Sequence, residues 1–145
     1  MNKLYTTIFL FLFINVNSQD LNIPLVFGDN MVLQQNSSVP IWGWSKKNKQ
    51  VSINVSWNDK LYSGKSDVNG KWMINIETPE YGGPYEFSVN SIKQVVSFKN
   101  ILIGEVWIAS GQSNMQMILA GGGREPVLRS LDMIAQAKNS NIRLF

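Results

Sequence analysis

The chain of 145 residues contains no cysteine and no histidine. Without cysteine there is no disulfide framework, so stability has to come from burial of aromatic and β-branched side chains. Without either residue, a zinc site loses its usual ligands. The missing histidine also removes the imidazole that most often takes the proton of a nucleophilic serine. An excess of one charge is lacking too: 13 basic residues face 10 acidic ones, a net of +3 spread along the chain. That distribution gives no nucleic-acid patch. The densest basic cluster, Lys46, Lys47 and Lys49, lies in a polar stretch between two strand-like runs and reads as a solvated hairpin loop without a function. The apolar run from Ile8 to Ile14 is far shorter than the roughly 20 residues a membrane-spanning helix needs.

What is present begins with that short run. Lys3 precedes it, and Val16 and Ser18 flank a cleavage point after it. Residues 1–19 therefore read as a secretory signal peptide, which predicts an exported protein, periplasmic or extracellular.

From Asn22 to about Phe98 the apolar residues recur with period two. Val51, Ile53, Val55 and Trp57 form one such set, Trp72, Ile74 and Ile76 a second, and Tyr85, Phe87 and Val89 a third. This alternation predicts half-buried antiparallel strands. Turn signals punctuate them at Gly28-Asp29-Asn30, Lys46–Lys49, Asn58-Asp59, Asn69-Gly70 and Gly82-Gly83-Pro84, and the combination predicts a β-sandwich. Trp57 and Trp72 share their faces with valine and isoleucine and read as core, whereas Trp42 and Trp44 fit either a core or a ligand-facing position. Asp67-Val68-Asn69-Gly70 superficially matches the start of a calcium loop, but the remaining ligands are absent and a hairpin turn suffices.

The pattern changes at ILIGEVWIAS, residues 101–110, a nearly continuous apolar run that predicts a strand covered on both faces, as in a parallel sheet. Glu105 interrupts it and reads as a residue at the junction between two domains. Beyond Gly121-Gly122-Gly123, EPVLRSLDMIAQAK has helical spacing, with Pro126 in the first turn and Lys138 in the last. IRLF then opens another strand-like run. The expected unit is β-α-β, and because one such unit cannot cover its own apolar strands, the domain it opens is expected to continue beyond this sequence.

Ser113 follows the predicted strand in the stretch ASGQSNMQM. The loop after a buried strand is where open α/β sheets bind their ligands. There, Gly111 allows a sharp turn, the backbone N–H groups of Ser113 and Asn114 face a developing oxyanion, and the Gln112 and Asn114 side-chain amides orient substrate or hold the loop. G-x-S alone is also compatible with a plain polar turn.

The run IGEVWIASGQSNMQM resembles the first block of the sialate O-acetylesterase family of SGNH hydrolases. LVFGDNMVLQQ (25–35), VPIWGW (39–44), DVNGKW (67–72), GGPYEFSV (82–89) and NIRLF (141–145) resemble further family landmarks in the family's order. The resemblance implies a β-sandwich domain over residues 20–99, followed over 100–145 by the start of a flavodoxin-like α/β hydrolase domain. It implies Ser113 as nucleophile, with its own N–H as one oxyanion donor. The family's remaining oxyanion residues and its late Asp-x-x-His pair have no matching positions here. The implied activity is removal of O-acetyl groups from sialic acid or acetylated polysaccharide, with no metal or cofactor, and a chain inactive without its base. The competing expectation is a non-catalytic β-sandwich module that binds carbohydrate or serves an accessory role.

Overall fold

The computed structural model describes residues 20–58, 60–120 and 127–144. Residues 1–19, expected from the sequence to be a signal peptide, Asp59, the glycine run 121–123, Pro126 and Phe145 lie outside the described residues. Among the described residues, eight strands are followed by two short helices. A three-stranded sheet has the order β1 (Leu21–Asn22), β3 (Ser38–Ser45), β6 (Lys71–Glu77), and a five-stranded sheet the order β2 (Val32–Gln34), β8 (Val95–Gly104), β7 (Gly82–Asn90), β4 (Gln50–Val55), β5 (Leu61–Lys65). Every pairing is antiparallel except that of β2 with β8.

The period-two residues face one shared core. Ile41, Trp72, Ile74 and Ile76 contribute from the three-stranded sheet, and Val51, Ile53, Val55, Phe87, Val89, Phe98 and Ile101 from the five-stranded one. Trp57 packs at the border of this core, edge-on to Tyr85 at 5.6 Å, with its indole N–H donating to the Glu77 carbonyl at 2.9 Å. Trp42 and Trp44 alternate with the buried Ile41 and Gly43, and Trp42 is partly buried against the core. Trp42 is covered by Phe27, whose ring meets it edge-on at 4.7 Å, and Trp44 is half exposed.

Between these two tryptophans Gly43 faces inward and pairs in register with Trp72. A Cβ at Gly43 would lie 2.4 Å from the Asn22 carbonyl oxygen and 2.8 Å from the Trp72 ring. The alternation of IWGW therefore places a hydrogen atom where the Trp72 indole needs space.

Three turn expectations are corrected. Lys46–Lys49 and Asn69-Gly70 are not hairpin loops: each carries the chain from one sheet to the other, since β3 pairs with β6 and β4 with β5. The Asp67 carboxylate accepts the N–H groups of Asn69 and Lys71, both at 2.8 Å, and Gly70 adopts φ +82°. A residue with a side chain would be strained at that φ and would strike the Ser45 carbonyl. Local turn chemistry was legible in the sequence, but not which strands the turn joins. Gly82-Gly83-Pro84 is not a separator at all. It lies inside β7, where the register with β8 slips between Gly82 and Phe87. Such an irregularity accommodates a proline, which cannot donate to the ladder, in an interior strand.

The apolar run at 101–110 also departs from expectation. Ile101 to Gly104 form the end of β8, with Ile101 and Ile103 buried, and the chain then leaves the sheet. Val106, Trp107 and Ile108 are exposed and outside any strand. No strand forms among residues 105–120 or 127–144, so of the β-α-β unit only helical segments are seen there: α1 (Ser113–Gln116) and α2 (Ser130–Gln136). An isolated strand has no partner for its backbone groups, and among the described residues no neighbouring strand pairs with these. The helix is shorter than its sequence pattern, ending before Lys138, and has no buried residue.

Candidate active site

The segment carrying Ser113 starts where β8 ends, and the link is made by side chains of β2 and the residue after it. Gln35 Nε2 donates to Glu105 Oε1 at 2.6 Å and Gln34 Nε2 to Glu105 Oε2 at 3.1 Å. The other ends of the same amides accept backbone N–H groups, Val106 on Gln34 and Tyr81 on Gln35, each at 2.9 Å. The Gln35 amide first, and that of Gln34 second, hold the Glu105 carboxyl below its ordinary value. Glu105 is therefore a fixed post at the point where the chain departs from the sheets.

A second tie lies on the other side. Arg143 Nη1 donates to the carbonyls of Met31, at 3.2 Å, and Asn100, and Arg143 Nη2 donates to Asn100 Oδ1 at 3.0 Å. Asn100 Nδ2 in turn donates to Asn30 Oδ1 at 2.7 Å, and Asp29 Oδ1 accepts the Lys99 N–H at 2.8 Å. Asn30 and Asn100 both adopt the left-handed conformation that asparagine tolerates best after glycine. The motifs LVFGDNMVLQQ and NIRLF, remote in sequence, are thus joined at one end of the five-stranded sheet.

Between these ties lie the predicted site residues. Gly111, Gln112 and Ser113 are exposed, and Ser113 and Asn114 are the first two residues of α1. The first N–H groups of a helix have no acceptor within it, so the backbone here offers donors. A Cβ on Gly111 would meet Met115 Cγ at 2.9 Å. Among the described residues, no side chain hydrogen-bonds Ser113 and no group of three or more metal-ligating side chains comes together. The structure brings Gly111, Gln112 and Ser113 together as chain neighbours and adds no base to them. Sequence reasoning missed Gln34, Gln35 and Asn100. The paired amides of VLQQ were a readable signal, since two successive glutamines ending a strand place polar side chains on both of its faces.

No family model matches the chain. In solved structures it is similar to a carbohydrate acetylesterase from Xanthomonas citri, with a TM-score of 0.68 and 29% identity over 82% of this chain and 26% of that one. Residues 1–104 make up less than that share of the chain, so the likeness runs past the end of β8.

More particularly, the chain is 29% identical to the sialate O-acetylesterase of Mus musculus over 99 residues, covering 62% of this chain and 18% of that protein. The sialate O-acetylesterase of Homo sapiens is 30% identical over 99 residues, 61% of this chain and 19% of that protein. The resemblance read from GQSNM and its companion motifs is thus met by both sequence and structure. The chain spans about a fifth of the length of these relatives.

Proposed function

We propose that this chain is the amino-terminal portion of an exported SGNH-type carbohydrate esterase: a β-sandwich that runs to the end of β8 at Gly104, five residues past the boundary expected at 99, and the opening segment of the hydrolase domain after it. The observation that carries the reading is the likeness to the Xanthomonas citri acetylesterase, which continues beyond the sheets into the segment that holds GQSNM. The substrate in this reading is an O-acetylated sugar, sialic acid or an acetylated polysaccharide.

Ser113 Oγ attacks the acetyl carbonyl carbon, and the carbonyl oxygen becomes an oxyanion facing the Ser113 backbone N–H. The tetrahedral intermediate collapses with loss of the sugar alcohol, and water then hydrolyses the acetyl-serine to acetate and free serine. Gly111, Gln112 and Asn114 support the loop. The proton of Ser113 has to go to a base, and with no histidine in the chain that base comes from outside residues 1–145.

The test has two parts. The 145-residue chain alone is expected to release no acetate from O-acetylated glycans; turnover that depends on Ser113 would overturn its dependence on an outside base. In the protein carrying its downstream coding sequence, Ser113→Ala is expected to lower acetate release by roughly 10⁴-fold or more. Full activity in that variant would overturn the nucleophile assignment. A second reading, a non-catalytic carbohydrate-binding or accessory module, is favoured by one observation: Ser113 is exposed with no base beside it among the described residues. An in-frame stop after Phe145 with no companion chain supplying histidine would select it.

A further inference from the structure

The sequence reads Lys46–Lys49 as a solvated loop, but the structure pins it from a neighbouring strand end. Ser66, 2% exposed, donates its hydroxyl to the Lys46 carbonyl at 2.6 Å and accepts the Lys49 N–H at 2.9 Å. Its own N–H donates to the Lys49 carbonyl at 2.9 Å, and Asn48 donates to the Asp67 carbonyl at 3.2 Å. Facing this loop, the turn between β7 and β8 presents Ser91, Ile92 and Lys93. It is closed by the Ser91 N–H on the Gln94 carbonyl at 2.8 Å, and Gln94 Oε1 accepts the Leu21 N–H at 3.0 Å.

Asp20, Lys46, Lys49, Ser91, Ile92 and Lys93 line a cavity of about 230 Å³ between these two connections. Its charges do not balance. Asp20 pairs with Lys46 at 2.6 Å, and among the described residues Lys49 and Lys93 have no carboxylate partner. Ser91 Oγ is buried and has no hydrogen-bond partner among the described residues. A buried hydroxyl left unpaired is costly, but Ser91 Oγ has no surface open to the recess and is out of reach of a ligand oxygen there. Ile92 and the lysine stems supply apolar surface beside the charges. The volume is smaller than the roughly 300–1,000 Å³ of a drug-sized site, which limits the occupant to about one ring.

We propose that this recess binds one acidic sugar residue, with its carboxylate paired to Lys49 and Lys93 and its ring against Ile92. None of the residues around Ser113 lines it. An anionic ligand follows from the charges alone; that the anion is carried on a sugar rests on the esterase reading. The recess would hold an acidic glycan by a residue other than the one being deacetylated.

Glucuronate titrated into the ¹⁵N-labelled chain at low ionic strength tests this, with glucose, acetate and sulfate as comparison probes. Saturable shifts are expected at the amides of Lys49, Ser91, Ile92 and Lys93 with glucuronate and not with glucose. Acetate and sulfate are expected to bind more weakly than glucuronate. The double variant Lys49→Gln/Lys93→Gln is expected to bind glucuronate about tenfold more weakly at unchanged Tm. No saturable shift, equal affinity for acetate or sulfate, or full binding in the double variant would each overturn the proposal. Because the readout is binding and not turnover, the result stands whether or not Ser113 acts as a nucleophile.

Discussion

Gly43 shows how much of this molecule is decided by single side chains. Two large indoles flank it on the outer face, and on the inner face Trp72 lies against its missing Cβ. Ala at this position forces Trp72 or the Asn22 backbone to move. We expect Gly43→Ala to cost about 1–3 kcal/mol in urea unfolding, the range for overpacking a close-packed core, and an unchanged midpoint would show that the sheet absorbs a methyl group there. The sequence announced the burial of Trp72 through its alternation with Ile74 and Ile76. It did not announce the need for glycine opposite, because cross-strand register is a long-range property that one strand does not contain. Ser113 illustrates the reverse. Its place in GQSNM was legible by resemblance, whereas its surroundings depend on elements that the local sequence does not specify.

The elements were legible where each strand buries one face. β4, β6 and β7 carry clean alternation and form as expected. The misreading at 101–110 arose because one apolar run serves two surroundings: Ile101 and Ile103 fill the core, while Val106, Trp107 and Ile108 lie outside it. Composition alone does not separate these halves, but Glu105 does, since its carboxylate is held by the amides of Gln35 and Gln34 at the boundary. That grip is pH-dependent in a defined direction. The folded-state carboxyl titrates below its ordinary 4.5, so its contribution is present above that value and is lost as the pH falls through the lower folded value. Thermal melts of the protein and of Glu105→Gln are therefore expected to converge on acidification from pH 7 to pH 3, and a constant gap in Tm across that range would remove the charge from the account.

At the scale of the whole molecule, five connections cross between the sheets, at 23–31, 35–37, 46–49, 66–70 and 78–81, and wrap the strands around one core. The five-stranded sheet is completed only by the last residues of β8. Leu102, Ile103 and Gly104 pair with Val32, Leu33 and Gln34, and Ile101 is fully buried. A chain ending at residue 99 loses both buried isoleucines and leaves β2 without a neighbour. At about 2–5 kcal/mol for each lost side chain, that removes much of the roughly 5–15 kcal/mol that holds a small domain together. Residues 20–99 are thus expected to show poor amide dispersion, and residues 20–106 a folded spectrum; a folded 20–99 would mean that β8 is complete without its last turn inward. The parallel pairing of β2 with β8 also imposes an order in time. Val32 leaves the ribosome long before Leu102, its partner, has been made. Until then the first strand of this sheet has no edge to join, so folding waits on the closing of a loop that spans most of the domain, which places this protein among the slow folders of high contact order.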